Sequence, residues 1–218
     1  MRPRTFAYAG TMNIDTAKGP VLVDTASAID AAARSIATSA GLTAITLRRV
    51  ASISGLPPAD IASREPSMGA LAGRTFADLA RSEFDRVSAE LGPVDNDLHF
   101  LAQLIDTMMT SEHSLSKTIW ADAWSVGRHN QFVAQAARDS MVLWQDFLAR
   151  RLRAGAEAGA FSVFDAELAA EQFFAMIDST TAYALVGYLD DATRTRLVAS
   201  TLETALSLPI GTLTRQDA

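Results

Sequence analysis

No cysteine occurs among the 218 residues, which excludes disulfides and thiolate metal sites. No His-Glu-x-x-His spacing is present, and His113 and His129 stand too far apart to form one helical ligand pair, so neither a metal nor a cofactor is expected. No Ser-His-Asp arrangement or glycine-rich phosphate loop stands out, and the chain is not expected to be an enzyme. No stretch approaches the roughly 20 apolar residues of a membrane helix. The N-terminal "MRPRTFAYAGTMNIDTAKGPVLVD" has basic residues but no apolar run long enough for a signal-peptide core. A soluble cytoplasmic protein without a membrane partner is the expectation. Charge is also scarce, at 20% of residues, and the net formal charge is −6, so a nucleic-acid binder would need its cations gathered on one face. Neither a strand pattern nor an internal repeat is visible.

What the chain does have is apolar content, 49% of residues, enough for a sizeable core. Alanine and leucine recur throughout, while prolines and glycines collect near the N-terminus and between segments, which predicts an all-α fold. Residues 1–23 show no period and are expected to be a mobile arm. From Thr25 the pattern turns helical, with Ala28, Ile29, Ala32, Ile36 and Ala40 three or four apart on one face. Asp24 or Thr25 can cap that helix and Gly41 can end it. Thr46 reads as the N-cap of a second short helix with Leu47, Val50, Ala51 and Ser54 inward, and Gly55 makes the turn. A third short helix starts at Pro57, where proline is tolerated because the first N–H groups of a helix lack partners. Its apolar anchor is Ile61. Longer helices are predicted over 67–91, 95–110, 114–127, 130–155, 166–187 and 191–208, about nine in all.

"AIDAAARSIATSAGLTAITLRRVASISGL" resembles the TetR family of one-component transcriptional regulators. Ile29, Ala32, Ala33, Ile36 and Gly41 match the family's first helix. Thr46, Val50, Ala51, Ser54, Gly55 and Leu56 match its "T-x-x-x-I-A-x-x-A-G-V" segment. Further on, Trp144, Leu148, Leu152, Gly155, Gly159 and Phe161 fit the long C-terminal-domain helix of choline-responsive-type members. The resemblance implies a helix-turn-helix DNA-binding domain over residues 24–75 and a ligand-binding and dimerisation domain over 76–218. It also implies a homodimer, with DNA and a small-molecule effector as partners.

The departures fall on the third helix. Where the family has a tyrosine, a phenylalanine and a phosphate-contacting lysine, this chain has Ala62, Glu65 and Met68. Losing the tyrosine hydroxyl and the lysine removes contacts that position a protein on a duplex. Asp60 adds a negative charge where a small neutral residue normally faces the groove. Between Asp24 and Thr75 five arginines (34, 48, 49, 64 and 74) stand against four acids, a net charge of +1, to which Arg2, Arg4 and Lys18 against Asp15 in the arm add +2. That is weak for a module whose affinity comes largely from phosphate neutralisation. The candidate DNA-binding residues are Thr46, Arg48 and Arg49 for phosphate, Arg64 for a guanine edge or else an ion pair with Glu65 or Asp60, and Ser63 as a lesser contact.

Met108, Trp120, Trp124, Met141, Trp144 and Tyr183 are the candidate ligand-binding residues. A stripe of aromatics and methionines more often builds core, but in this family that core is commonly hollowed into a cavity, apolar with a few orienting polar groups. His99, His113, His129, Asn130 and Asp178 are the candidates for such groups. The last two helices, with Phe173, Phe174, Ile177, Ala182, Leu185, Leu197, Leu202 and Leu206, carry more apolar positions than one face needs and are assigned to the dimer interface. The expectation is a DNA-binding repressor relieved by a small apolar or amphipathic effector. The alternative is a protein of the same fold whose degenerate third helix no longer binds DNA specifically and which acts through ligand or protein binding.

Overall fold

The computed structural model describes residues 24–92, 96–109 and 114–214, the side chains of 114–117 aside. Among the described residues there are nine α-helices, one 3-10 turn and no strand. In chain order the helices are α1 (Thr25–Ala40), α2 (Leu47–Ser54), α3 (Pro58–Arg64), α4 (Met68–Leu91), α5 (Asp97–Met109), α6 (Ser114–Gly127), α7 (Gln131–Glu157), α8 (Ala166–Leu185) and α9 (Asp191–Ala205). The 3-10 turn, Leu42–Ala44, was not legible in the sequence and links α1 to α2.

The boundaries follow from capping chemistry. Asp24, Thr46, Ser67, Asn130, Asp165 and Asp190 each accept a backbone N–H of the following first turn, which satisfies donors that would otherwise have no partner. Gly41 follows α1, and Gly55 follows α2 in the left-handed conformation. The last predicted helix ends earlier than expected, at Ala205, because Leu206 already leaves helical geometry and the chain turns back at Ser207.

The buried apolar residues form two clusters. One gathers Ile29, Ile36, Leu42, Val50, Ile61, Leu71 and Phe76 around the first three helices and the start of α4, and takes Ile119, Ala123 and Val133 from α6 and α7. The other spans the remainder of α4 through α9, with Leu101, Leu104, Leu148, Leu152, Phe173 and Leu202 at its centre. α4 runs unbroken through the boundary expected near residue 75 and contributes to both clusters. α4 and α7 pack closely at Gly73, where a Cβ would lie 2.7 Å from the backbone of Phe132.

The surplus of apolar positions on α8 and α9 goes mainly to the chain's own core. Phe173, Phe174, Ile177, Leu202 and Leu206 are all buried within the single chain, so they are not available to a partner subunit. What α8 leaves outward is a narrower stripe of Leu168, Gln172, Ala175 and Ala182, continued past its end by Val186.

Candidate functional site

The first three helices present a polar face. Ile61 is the one buried residue of α3, so Asp60, Ala62, Ser63 and Arg64 all stand outward. Thr46, Arg48 and Arg49 are exposed at the start of α2. The Thr46 Oγ1 accepts the Arg49 backbone N–H at 3.4 Å, which leaves its hydroxyl proton free to donate.

The five arginines of this region divide into two groups. Arg34 donates to Ser82 Oγ and to the Asp78 carbonyl of α4, at 3.2 and 3.4 Å. Arg74 bridges Glu65, at 2.6 Å, and Asp30, at 2.9 Å. The side chains of Arg48, Arg49 and Arg64 make no hydrogen bond or ion pair among the described residues. The pairing of Arg64 with Glu65 or Asp60, one of the two sequence alternatives, is therefore absent there. Glu65 points instead to α4 and α1, where its bond to Arg74 is the main cause of that arginine's raised pKa. Three guanidiniums remain on this face against one carboxylate, Asp60, a better balance than residue counting suggested. Met68 opens α4 half-buried against the first cluster. The basic arm lies outside the described residues.

In the larger part of the chain, five helices line a cavity of about 140 Å³ that opens beside α8, where Glu171 and Ala175 are exposed. α4 supplies Glu83 and α5 Met108. α6 supplies Trp120 and Trp124, and α7 supplies Met141, Trp144 and Gln145. α8 contributes most, with Glu171, Phe174, Ala175, Ile177, Asp178 and Thr181. The rings are set by contacts with each other: Trp120 meets Phe76 edge-on at 5.1 Å, and Trp144 lies 4.9 Å from Phe84 and 5.7 Å from Phe174. The Trp120 indole N–H donates to Glu83 Oε2 at 3.2 Å.

Five of the six ligand-binding candidates, Met108, Trp120, Trp124, Met141 and Trp144, come together at this cavity. Tyr183 does not. Phe174, Asp178 and Thr181 repeat at helical spacing, and position 183 lies off that stripe. Its ring packs instead edge-on against Tyr188 at 5.1 Å. Among the polar candidates only Asp178 lines the cavity. His99 and His129 are exposed, Asn130 is used to cap α7 and to hold the Gly69 carbonyl, and His113 lies outside the described residues. Glu83, Gln145 and Glu171 were missed. Glu83 sits in "RSEFDR", where alternating charges read as a solvated helix face, so no local signal marked it.

Asp178 is the chemically unusual member. It makes no hydrogen bond or ion pair among the described residues, and burial pushes its carboxyl from the ordinary 3.8 up to about 7. Among the described residues no arginine, lysine or histidine lines the cavity. No group of residues suited to holding a metal ion occurs among the described residues.

α6 joins the two regions. Trp120 and Trp124 face the cavity, while Ile119 and Ala123 lie in the first cluster. Between them, the Asp122 carboxylate accepts the Leu42 backbone N–H at 2.9 Å, directly at the 3-10 turn between α1 and α2. Gly41 leaves the room that this carboxylate occupies.

Comparison with known proteins agrees with this architecture. A family model described as the AefR-like transcriptional repressor C-terminal domain matches residues 100–208, half of the chain. Among solved structures, a putative transcriptional regulator from Saccharomonospora viridis in complex with choline is 21% identical, with a TM-score of 0.69 over 81% of this chain and 94% of that one. A putative TetR-family regulator from Rhodococcus sp. is 16% identical, with a TM-score of 0.64 over 82% and 96%. The structure of RolR with the ligand resorcinol is 18% identical, with a TM-score of 0.63 over 85% and 88%. No curated protein matches in sequence. At these identities the structural likeness is one of fold, that of helical transcriptional regulators. With the family match over half its length, the chain belongs to the TetR family.

Proposed function

We propose that the protein is a homodimeric, DNA-binding transcriptional repressor that a small apolar or amphipathic effector releases. The observation that carries this reading is the pairing of two features on one lever. Three unengaged guanidiniums, Arg48, Arg49 and Arg64, face outward from α2 and α3, and a ligand-sized cavity lies on the other side of α6. Arg48 and Arg49, with the Thr46 hydroxyl, are placed to hold phosphates. Arg64 and Ser63 stand on the helix that would enter a major groove. An effector that moves Trp120 or Trp124 moves Asp122 with them, and so shifts the turn that carries α2. Two reading heads must fit half-sites one turn of DNA apart, so a small rotation is enough to lose the complex.

Dimerisation is assigned to the outward stripe of α8, where Ala175 and Ala182 permit close helix approach, continued by the exposed Leu185 and Val186. The size of the effector follows from the cavity. Choline and resorcinol, the ligands of two structural neighbours, are small molecules of the scale it admits. The experiment is a mobility shift with DNA from upstream of the protein's own gene, run at low salt with wild type and Arg48→Ala. A retarded complex that weakens in the variant supports the reading.

The alternative, a regulator fold that has lost specific DNA binding, draws on Ala62 and Met68, which supply no phosphate contact. It is favoured if the wild type retards specific and random duplexes equally.

A further inference from the structure

We infer that the ligand of the α4–α8 cavity is a cation, an alkylated ammonium whose charge is shielded by tryptophan faces and balanced by Asp178 and Glu83. The inference rests on the reading of this space as an effector site and names the chemistry of the effector.

The argument begins with what the walls offer. Trp120, Trp124, Trp144 and Phe174 line one small space. Aromatic faces carry negative potential, and tryptophan binds cations best. A bulky, weakly hydrated ammonium gains from such faces and loses little on leaving water. The polar groups point the same way. Asp178 comes from α8 and Glu83 from α4, so the carboxyls approach from different helices, and Glu171 adds a third at the α8 wall. Among the described residues no cationic side chain lines the cavity to neutralise any of them.

Glu83 has a second task. One of its oxygens accepts the Trp120 indole N–H and fixes the ring, while the other accepts nothing among the described residues. Asp178 has no partner there at all. A half-buried carboxyl without a partner is costly, and structures keep such groups where something else completes them.

Other ligand classes fit less well. An anion would meet three carboxyls and, among the described residues, no cation. A neutral apolar molecule would displace water from Asp178 and return no hydrogen bond. A primary ammonium finds the same carboxyls, but it is compact and strongly hydrated and loses more than an alkylated ammonium on leaving water for the tryptophan faces.

The test is calorimetric titration of the full chain, without DNA, with three probes: phenyltrimethylammonium, its uncharged isostere tert-butylbenzene, and benzoate. Phenyltrimethylammonium should bind at least about tenfold more tightly than the other two. Asp178→Asn and Glu83→Gln should each weaken the cation by about tenfold and leave the neutral isostere within about twofold. Glu83→Gln keeps an acceptor for the Trp120 indole, so it checks charge without unseating the ring. The proposal is overturned if tert-butylbenzene or benzoate binds as well as the cation, if the cation does not bind at millimolar concentration, or if Asp178→Asn leaves its affinity unchanged. Because DNA is absent, failure here leaves the DNA-binding reading standing. Loss of that reading in a mobility shift leaves a measured cation site intact.

Discussion

Replacing Asp178 by asparagine should stabilise the protein above neutral pH and leave it unchanged in acid. Burial holds the carboxyl near pH 7 in the folded chain, against an ordinary 3.8. The folded state therefore binds the proton more tightly than the unfolded state. Below both values the carboxyl is neutral in each state and costs nothing extra. As pH rises through the range from about 4 to 7, the unfolded chain ionises and the folded one resists, so stability falls and then levels off. At about 1.4 kcal/mol per pH unit the ceiling is about 4 kcal/mol. Residual access of water through the cavity should reduce it to about 2 kcal/mol. The other described titratable groups lining the space, Glu83 and Glu171, are also acids, so neither supplies a positive charge to lower the cost. Asparagine has the same shape and no proton to lose. The assay is urea denaturation of both proteins between about pH 3 and 8.5, read as the difference, in which titrations common to both cancel. The difference should open from near zero to about 2 kcal/mol in favour of asparagine. Parallel curves would refute the reasoning, and a difference opening in the opposite direction would mean that Asp178 is ionised and paired in solution.

Further outcomes follow from particular contacts. Asp122→Ala removes the acceptor of the Leu42 N–H and should leave effector affinity near wild type while reducing effector-driven DNA release, checked by titrating a preformed complex. Gly73→Ala drives a methyl into the Phe132 backbone and should destabilise by about 1–3 kcal/mol in thermal or urea unfolding. Ala182→Glu, on the outward stripe of α8, should convert dimer to monomer by light scattering. Leu202 is unsuitable for that purpose because it is buried inside its own chain. Arg48→Ala should weaken binding to all DNA sequences about equally, whereas Arg64→Ala should relax sequence preference at a cost of about 1–3 kcal/mol.

Much of the fold could be read from the sequence because local chemistry repeats it. Asp24, Thr46, Ser67 and Asp165 are capping residues standing immediately before apolar periodicity, and each caps a helix. The cavity was half legible. Tryptophans and methionines are conspicuous, and five of six named residues meet there, but nothing local tells which face of α8 a tyrosine takes, and Tyr183 turned away. Glu83 was invisible because its neighbours Arg81 and Asp85 form a surface ion pair that gives the whole segment a solvated look. Which apolar residues of α8 and α9 serve the chain's own core was not legible for a related reason. Apolar count cannot separate residues that fill a chain's own core, such as Phe173 and Leu206, from residues that meet a partner. The ion triad of Arg74, Glu65 and Asp30 depends on α1, α3 and α4 meeting in space, at sequence separations of 9 and 44 residues that no pattern reports.

The central claim, that this chain still reads DNA, is tested most directly by selecting binding sites from a random duplex library at low salt with the wild-type protein. The account predicts enrichment of a palindrome whose half-sites lie about 34–36 Å apart centre to centre. It predicts that Met68→Lys tightens binding and steepens its salt dependence by about one unit per head, since a lysine there restores a phosphate contact at the start of α4. No enriched sequence, together with a Met68→Lys protein that behaves as wild type, would contradict the claim.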